Sequence, residues 1–123
     1  DSENGVDDLL NRCENRPGKL TGKMVAEADC DDNPLAKQVV GQARRTLAWA
    51  IGQAVNLLAP QIVVIGGGVS IIGEERFFRP LRDEVARFVF PPFVSRYQIA
   101  PSALGEEVVV HGAAAIAARL TSK

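Results

Sequence analysis

The sequence predicts an α/β fold of parallel strands with flanking helices, and three observations carry that prediction. The first is Gln61-Ile62-Val63-Val64-Ile65-Gly66-Gly67-Gly68-Val69-Ser70, a β-branched run closed by three consecutive glycines, the pattern of a fully buried parallel strand. The second lies just before it. Asn33-Pro34 offers an N-cap followed by proline at the first helical position, and Leu35, Val39, Val40, Ala43, Leu47, Ala50, Ile51, Ala54, Val55 and Leu58 recur at three- and four-residue steps, which predicts one long helix over Pro34–Leu58 ended by Pro60. The third is the order of the elements after the glycines: a helix opened by Pro80, a β-like run at Arg96–Ala100 and an alanine-rich helix over Val110–Leu120. Helix, strand, helix, strand, helix is the order of parallel strands joined by right-handed crossovers.

In chain order, the first thirty residues are polar and mixed. A short helix is expected at Val6–Glu14, a break at Arg16-Pro17-Gly18, and a second short helix near Thr21–Ala28 with Thr21 as cap. Residues 1–33 thus read as a peripheral helical segment and 34–123 as an α-β-α-β-α unit. The small residues Ala43, Ala50 and Ala54 predict close packing of the long helix on a sheet. After Ser70 come a loop, a helical turn at Glu74–Phe78, and the Pro80 helix, with Leu81, Val85, Phe88 and Val89 on its buried face and Asp83 placed to pair with Arg87. Pro91-Pro92 stops that helix, and Pro101 either confines the second strand to an edge or ends it. The alanines of the closing helix predict close approach to a sheet or a partner helix. A sheet of two strands is seldom stable by itself, so further strands are expected upstream or from a partner.

At 123 residues the chain fits one domain that removes roughly two-thirds of its unfolded surface from water. A formal net charge of -1 with interspersed signs lacks the footprint of a nucleic-acid or anionic-membrane binder, which points to small-molecule or protein partners. No apolar run approaches the ~20 residues of a membrane span, and Asp1-Ser2-Glu3-Asn4 lacks a signal pattern, so a soluble, cytoplasmic protein is expected. Cys13 and Cys30 fit neither a disulfide framework nor a metal site, and reduced thiols are expected. His111, the single histidine, is expected to pack or cap at the opening of the last helix, since no nucleophile pattern accompanies it.

Gly66, Gly67 and Gly68 are the first place to look for a ligand, because open α/β sheets bind at the C-terminal ends of their strands. The glycines are neither common nucleotide motif. A G-x-G-x-x-G fingerprint fails at Ile71, and no lysine comes after them to make a P-loop. A tight turn without ligand is the competing reading, although one glycine suffices for a turn. A branched side chain at Gly67 would block a ligand, and would also strain the turn if φ is positive there. The adjacent carboxylates Glu106 and Glu107 read as a solvated corner rather than an acid/base pair.

Further segments fall in a known order: Leu20-Thr21-Gly22-Lys23 with Val25-Ala26-Glu27-Ala28, Asp32-Asn33-Pro34-Leu35-Ala36, Asn56-Leu57-Leu58-Ala59-Pro60, the glycine run, Pro80-Leu81-Arg82, and Leu104-Gly105-Glu106-Glu107 with His111-Gly112-Ala113-Ala114. Over about Lys19 to Leu120 the chain resembles the C-terminal part of the ROK family, sugar kinases and sugar-responsive repressors on the actin/hexokinase-like (ribonuclease H-like) ATPase fold. The resemblance implies that Gly66, Gly67, Gly68, Val69 and Ser70 form an adenosine motif: backbone against adenine or ribose, apolar contact from Val69, a hydroxyl from Ser70. It also implies ATP, Mg²⁺ and a hexose for the full-length protein, and three further strands before the long helix. The family's Asp-x-Gly-x-Thr loop, catalytic aspartate, second phosphate loop and zinc site have no counterpart here. The chain therefore carries no catalytic residue or metal ligand and is expected to be inactive and to bind nucleotide weakly. It reads as a fragment or a half-lobe needing a partner, with a homo-oligomer, most simply a dimer, covering its open edges. The leading expectation is a sugar kinase, and the alternative is the effector-binding and oligomerising part of a repressor.

Overall fold

In the computed structural model, which describes residues 2–104 and 107–121, seven regular elements occur in order: α1 (Ser2–Arg12), α2 (Gly22–Cys30), α3 (Pro34–Leu58), β1 (Ile62–Ile65), α4 (Arg79–Ala86), β2 (Gln98–Pro101) and α5 (Val108–Thr121). The strands form a parallel two-stranded sheet, with Ile62 opposite Gln98 and Ile65 opposite Pro101. The α/β expectation holds. The first helix begins earlier than expected and ends at Arg12, and the second strand starts two residues later than expected.

α3 begins where the sequence places it because Asn33 satisfies its first turn. The Asn33 side chain accepts from the N–H groups of Leu35 and Ala36, both at 3.0 Å, and Pro34 needs no such partner. The same amide donates to the Gly5 carbonyl at 3.0 Å and to an Asp8 carboxylate oxygen at 2.8 Å, so a buried cap residue also docks α1. The Asn33 amide, and after it the Arg12 guanidinium, hold the Asp8 carboxyl below the usual carboxylate range. Asn33→Ala is expected to cost about 1–2 kcal/mol through the lost cap and to release α1. Thermal unfolding with limited proteolysis near Gly5 checks this; an unchanged midpoint with α1 still protected contradicts it.

The core lies between one face of α3, one face of the sheet, and α4. Ile51 and Val55 meet Ile65, Ile99, Phe77, Phe78, Leu81, Val85 and Val89, and Phe77 and Phe78 pack edge to face at 5.6 Å. Phe88 departs from its expected place: α4 ends at Ala86, so Phe88 leaves the helical face and is exposed, while Asp83 makes no ion pair with Arg87. The long helix also splits its apolar residues. Ala36, Val40, Ala48, Ile51 and Val55 are buried, whereas Val39, Ala43, Ala50 and Leu58 are exposed. Ala43 and Ala50 therefore do not pack on the sheet; with Val39 and Leu47 they line an open groove.

The two sheet edges differ. Gln98 and Ser102 donate their N–H groups to the carbonyls of Gln61 and Ile65, so by the alternation of the ladder Pro101 turns its missing N–H outward. That is why Pro101 joins β2 instead of ending it. The outward Ile99 carbonyl accepts from Arg82 Nε at 2.9 Å, so β2 is a protected edge. Among the described residues, β1 has no such cover. Ile62 and Val64 turn their backbone groups away from β2, and their side chains are exposed. β1 is thus not fully buried, a correction to the sequence reading, because its second neighbour and outer layer are missing from this chain. Every described side chain of α5 is likewise exposed, so among the described residues its alanines approach neither the sheet nor another helix.

Candidate functional site

β1 delivers the chain into the glycine run. The Ile65 carbonyl at the strand end is taken by the Ser102 N–H at 2.8 Å. Gly66 is half-buried, Gly67 adopts φ +83 and ψ -166, and Gly68 opens a tight 3₁₀ turn over Gly68–Ile72 that ends at Gly73 with φ +93. Only glycine tolerates the Gly67 conformation without strain. Gly67→Val is therefore expected to lower stability in the absence of any ligand, by roughly 1–3 kcal/mol; a thermal midpoint equal to wild type would contradict this. Val69 packs inward against the core, so its contacts are with the protein. The Ser70 side chain lies outside the described residues, as does Glu106, while Glu107 is exposed.

The turn leads into a single π-helical turn, Glu74–Phe78, which runs directly into α4. Pro80 donates no hydrogen bond to the Arg76 carbonyl one turn back; Arg44 on α3 reaches that carbonyl at 3.5 Å while pairing with Glu84 at 3.0 Å. Glu74 pairs with Arg82, whose guanidinium also lies 5.9 Å from the Phe78 ring centre. Arg82 holds the Glu74 carboxyl below its ordinary range. The far end of the glycine segment is thus fixed to α4 and, through Arg82, to the edge of β2.

Ile72, at the end of the turn, faces α2 across a cleft of about 310 Å³ whose other walls are Ala26, Glu27, Cys30, Asp31 and Arg12. That volume is at the small end of ligand sites. Arg12 bridges Asp31 at 2.7 Å and Asp8 at 3.1 Å, and these carboxylates raise its pKa, Asp31 first. Among the described residues no group of three His, Cys, Asp or Glu side chains could hold a metal ion. Of the two carboxylates that line the cleft, Glu27 and Asp31, the second is paired with Arg12, so this donor set does not fit Mg²⁺. Cys13 is buried and Cys30 exposed, both free thiols. His111 neither packs nor caps: it is exposed within α5, 3.6 Å from Glu107.

Sequence reasoning singled out the glycines, none of which lines this cleft, and missed the α2 wall that faces Ile72. Ala26, Glu27, Cys30 and Asp31 carry no motif, and only the fold brings α2 onto the turn. The helix itself was legible, since Thr21 caps it by accepting from the Met24 N–H at 3.3 Å.

The sequence model of the ROK family matches residues 3–120. The chain belongs to the ROK family. Among its relatives, a glucokinase of Thermotoga maritima is 32% identical over 108 residues, covering 88% of this chain and 34% of that protein. A glucokinase of Halalkalibacterium halodurans is 30% identical over 95 residues, covering 77% of this chain and 28% of that protein. The chain therefore spans about a third of the length of these ROK relatives. The solved structure of a ROK family glucokinase from Streptomyces griseus, in complex with glucose and AMPPNP, superposes with a TM-score of 0.73 at 23% identity, over 85% of this chain and 34% of that one. The fold is that of the actin-like ATPases, with an incomplete sheet in this chain. No helix among the described residues is long and apolar enough to cross a membrane.

Proposed function

We propose that this chain is the adenosine-side part of a ROK sugar kinase, whose full-length form transfers the γ-phosphate of ATP to a hexose with Mg²⁺ as the phosphate counter-ion. The observation that carries the reading is the glycine run at the C-terminal end of parallel strand β1, the place where α/β sheets take ligands, with open space beside Gly67; the cleft between Ile72, at the end of the following turn, and α2 lies next along the chain. The glucokinase relatives support the reaction class. Gly66–Gly68 lay backbone against adenine or ribose, Ser70 offers its hydroxyl, and Val69 supports the turn from the core side. The general base and the phosphate-binding groups come from elsewhere in the protein, as no residue here takes a proton from a sugar hydroxyl.

The test is ATP-dependent phosphorylation of glucose, mannose and N-acetylated hexosamines by the full-length protein in a coupled ADP assay, beside the chain 1–123. Turnover by the former and none by the latter supports the proposal. A full-length protein that binds operator DNA and turns over no ATP supports the repressor alternative. We also propose that the isolated chain self-associates through the open edge of β1, most simply as a dimer. Light scattering that finds a folded monomer at micromolar concentration contradicts this.

A further inference from the structure

Two walls of the cleft belong to separate segments, and one side chain ties them together. Arg76 sits four residues beyond Ile72, in the π-helical turn that starts after Gly73, and its Nη1 donates to the Asp29 carbonyl at 2.7 Å. Asp29 is next to Cys30, at the C-terminal end of α2, where the carbonyls carry the negative end of the helix dipole and a guanidinium is favoured. The same nitrogen lies 3.9 Å from Asp32. The Arg76 backbone carbonyl is in turn held by Arg44, so the brace reaches α3. We propose that Arg76 is a positioning residue for nucleotide: it fixes the distance between the α2 wall and Ile72, at the end of the turn that follows the glycines, and so keeps the cleft at the width that accepts a flat base. This rests on the reading of the cleft as the nucleotide site. Arg76 lines no wall of the cleft itself, so its effect passes through the segments it joins.

The experiment measures AMPPNP affinity of the full-length protein by calorimetry at a temperature well below unfolding, for wild type, Arg76→Met and Arg76→Lys, with ligand-free thermal midpoints alongside. Loss of the brace is expected to weaken AMPPNP binding roughly tenfold or more, since small misplacements at a binding surface carry such factors. The lysine variant keeps a charged donor and falls between. Thermal midpoints move little, because the side chain is partly exposed. Lowered midpoints with unchanged affinity would make Arg76 a structural residue only and overturn the inference. Unchanged midpoints and affinity overturn it as well, leaving the cleft reading standing. If wild type binds no AMPPNP, the cleft reading fails and the inference with it. Should the methionine variant not fold, the lysine variant alone decides.

Discussion

Leu81→Ala is expected to destabilise the chain by about 2–5 kcal/mol, enough to leave much of it unfolded at 37 °C. Leu81 has no exposed surface and stands at the centre of the cluster formed by α3, α4 and the sheet. Truncation removes its transfer free energy and leaves a cavity that Phe77, Phe78 and Val85, themselves buried, cannot readily fill. Leu58→Ala is the matched control. Leu58 is exposed at the end of α3, so its loss should change stability by no more than about 0.5 kcal/mol. Chemical denaturation of both variants checks the pair; equal, small effects would mean that the core does not centre on α4.

A second pair of variants should move stability in opposite directions. A Cβ at Gly52 would lie 2.5 Å from the Phe88 Cβ and 3.4 Å from its carbonyl carbon. These atoms cannot swing aside, so Gly52→Ala forces α3 and the end of α4 apart, costing about 1–3 kcal/mol. At Gly41, on the same helix, a Cβ would meet only the end of the Arg45 side chain at 3.7 Å. Gly41→Ala should therefore gain up to about 1 kcal/mol of helix propensity. Thermal midpoints that shift in the same direction would show that the contact between Gly52 and Phe88 does not set the α3–α4 distance.

Local chemistry was legible in the sequence. Asn33-Pro34, Pro60, Pro80 and the β-branched run before Gly66 each act within a few residues, and the structure places α3, β1 and α4 accordingly. Burial was harder to read, because it depends on which layers are present. Val39, Ala43 and Leu58 carry a helical period as regular as that of Val40 and Ile51, yet face outward. Ile62 and Val64 look like core residues and are exposed where neighbouring strands are missing. Pro101 left two readings open, edge strand or strand end, because ladder parity, which turns its nitrogen to the outer edge, is invisible in a single sequence. In the candidate site, the glycines announced themselves but the sign of φ at Gly67 did not. The α2 wall is assembled by tertiary contact from residues as ordinary as Ala26 and Glu27.

Nucleotide binding between the glycine turn and α2 is the central claim. Photolabelling of the full-length protein with 8-azido-ATP, combined with peptide mapping, reads this directly because the reactive nitrogen sits on the base. The predicted result is modification within residues 26–31 and 66–73, suppressed by excess ATP. Labelling that ATP suppresses but that maps to neither segment would contradict the assignment of the site.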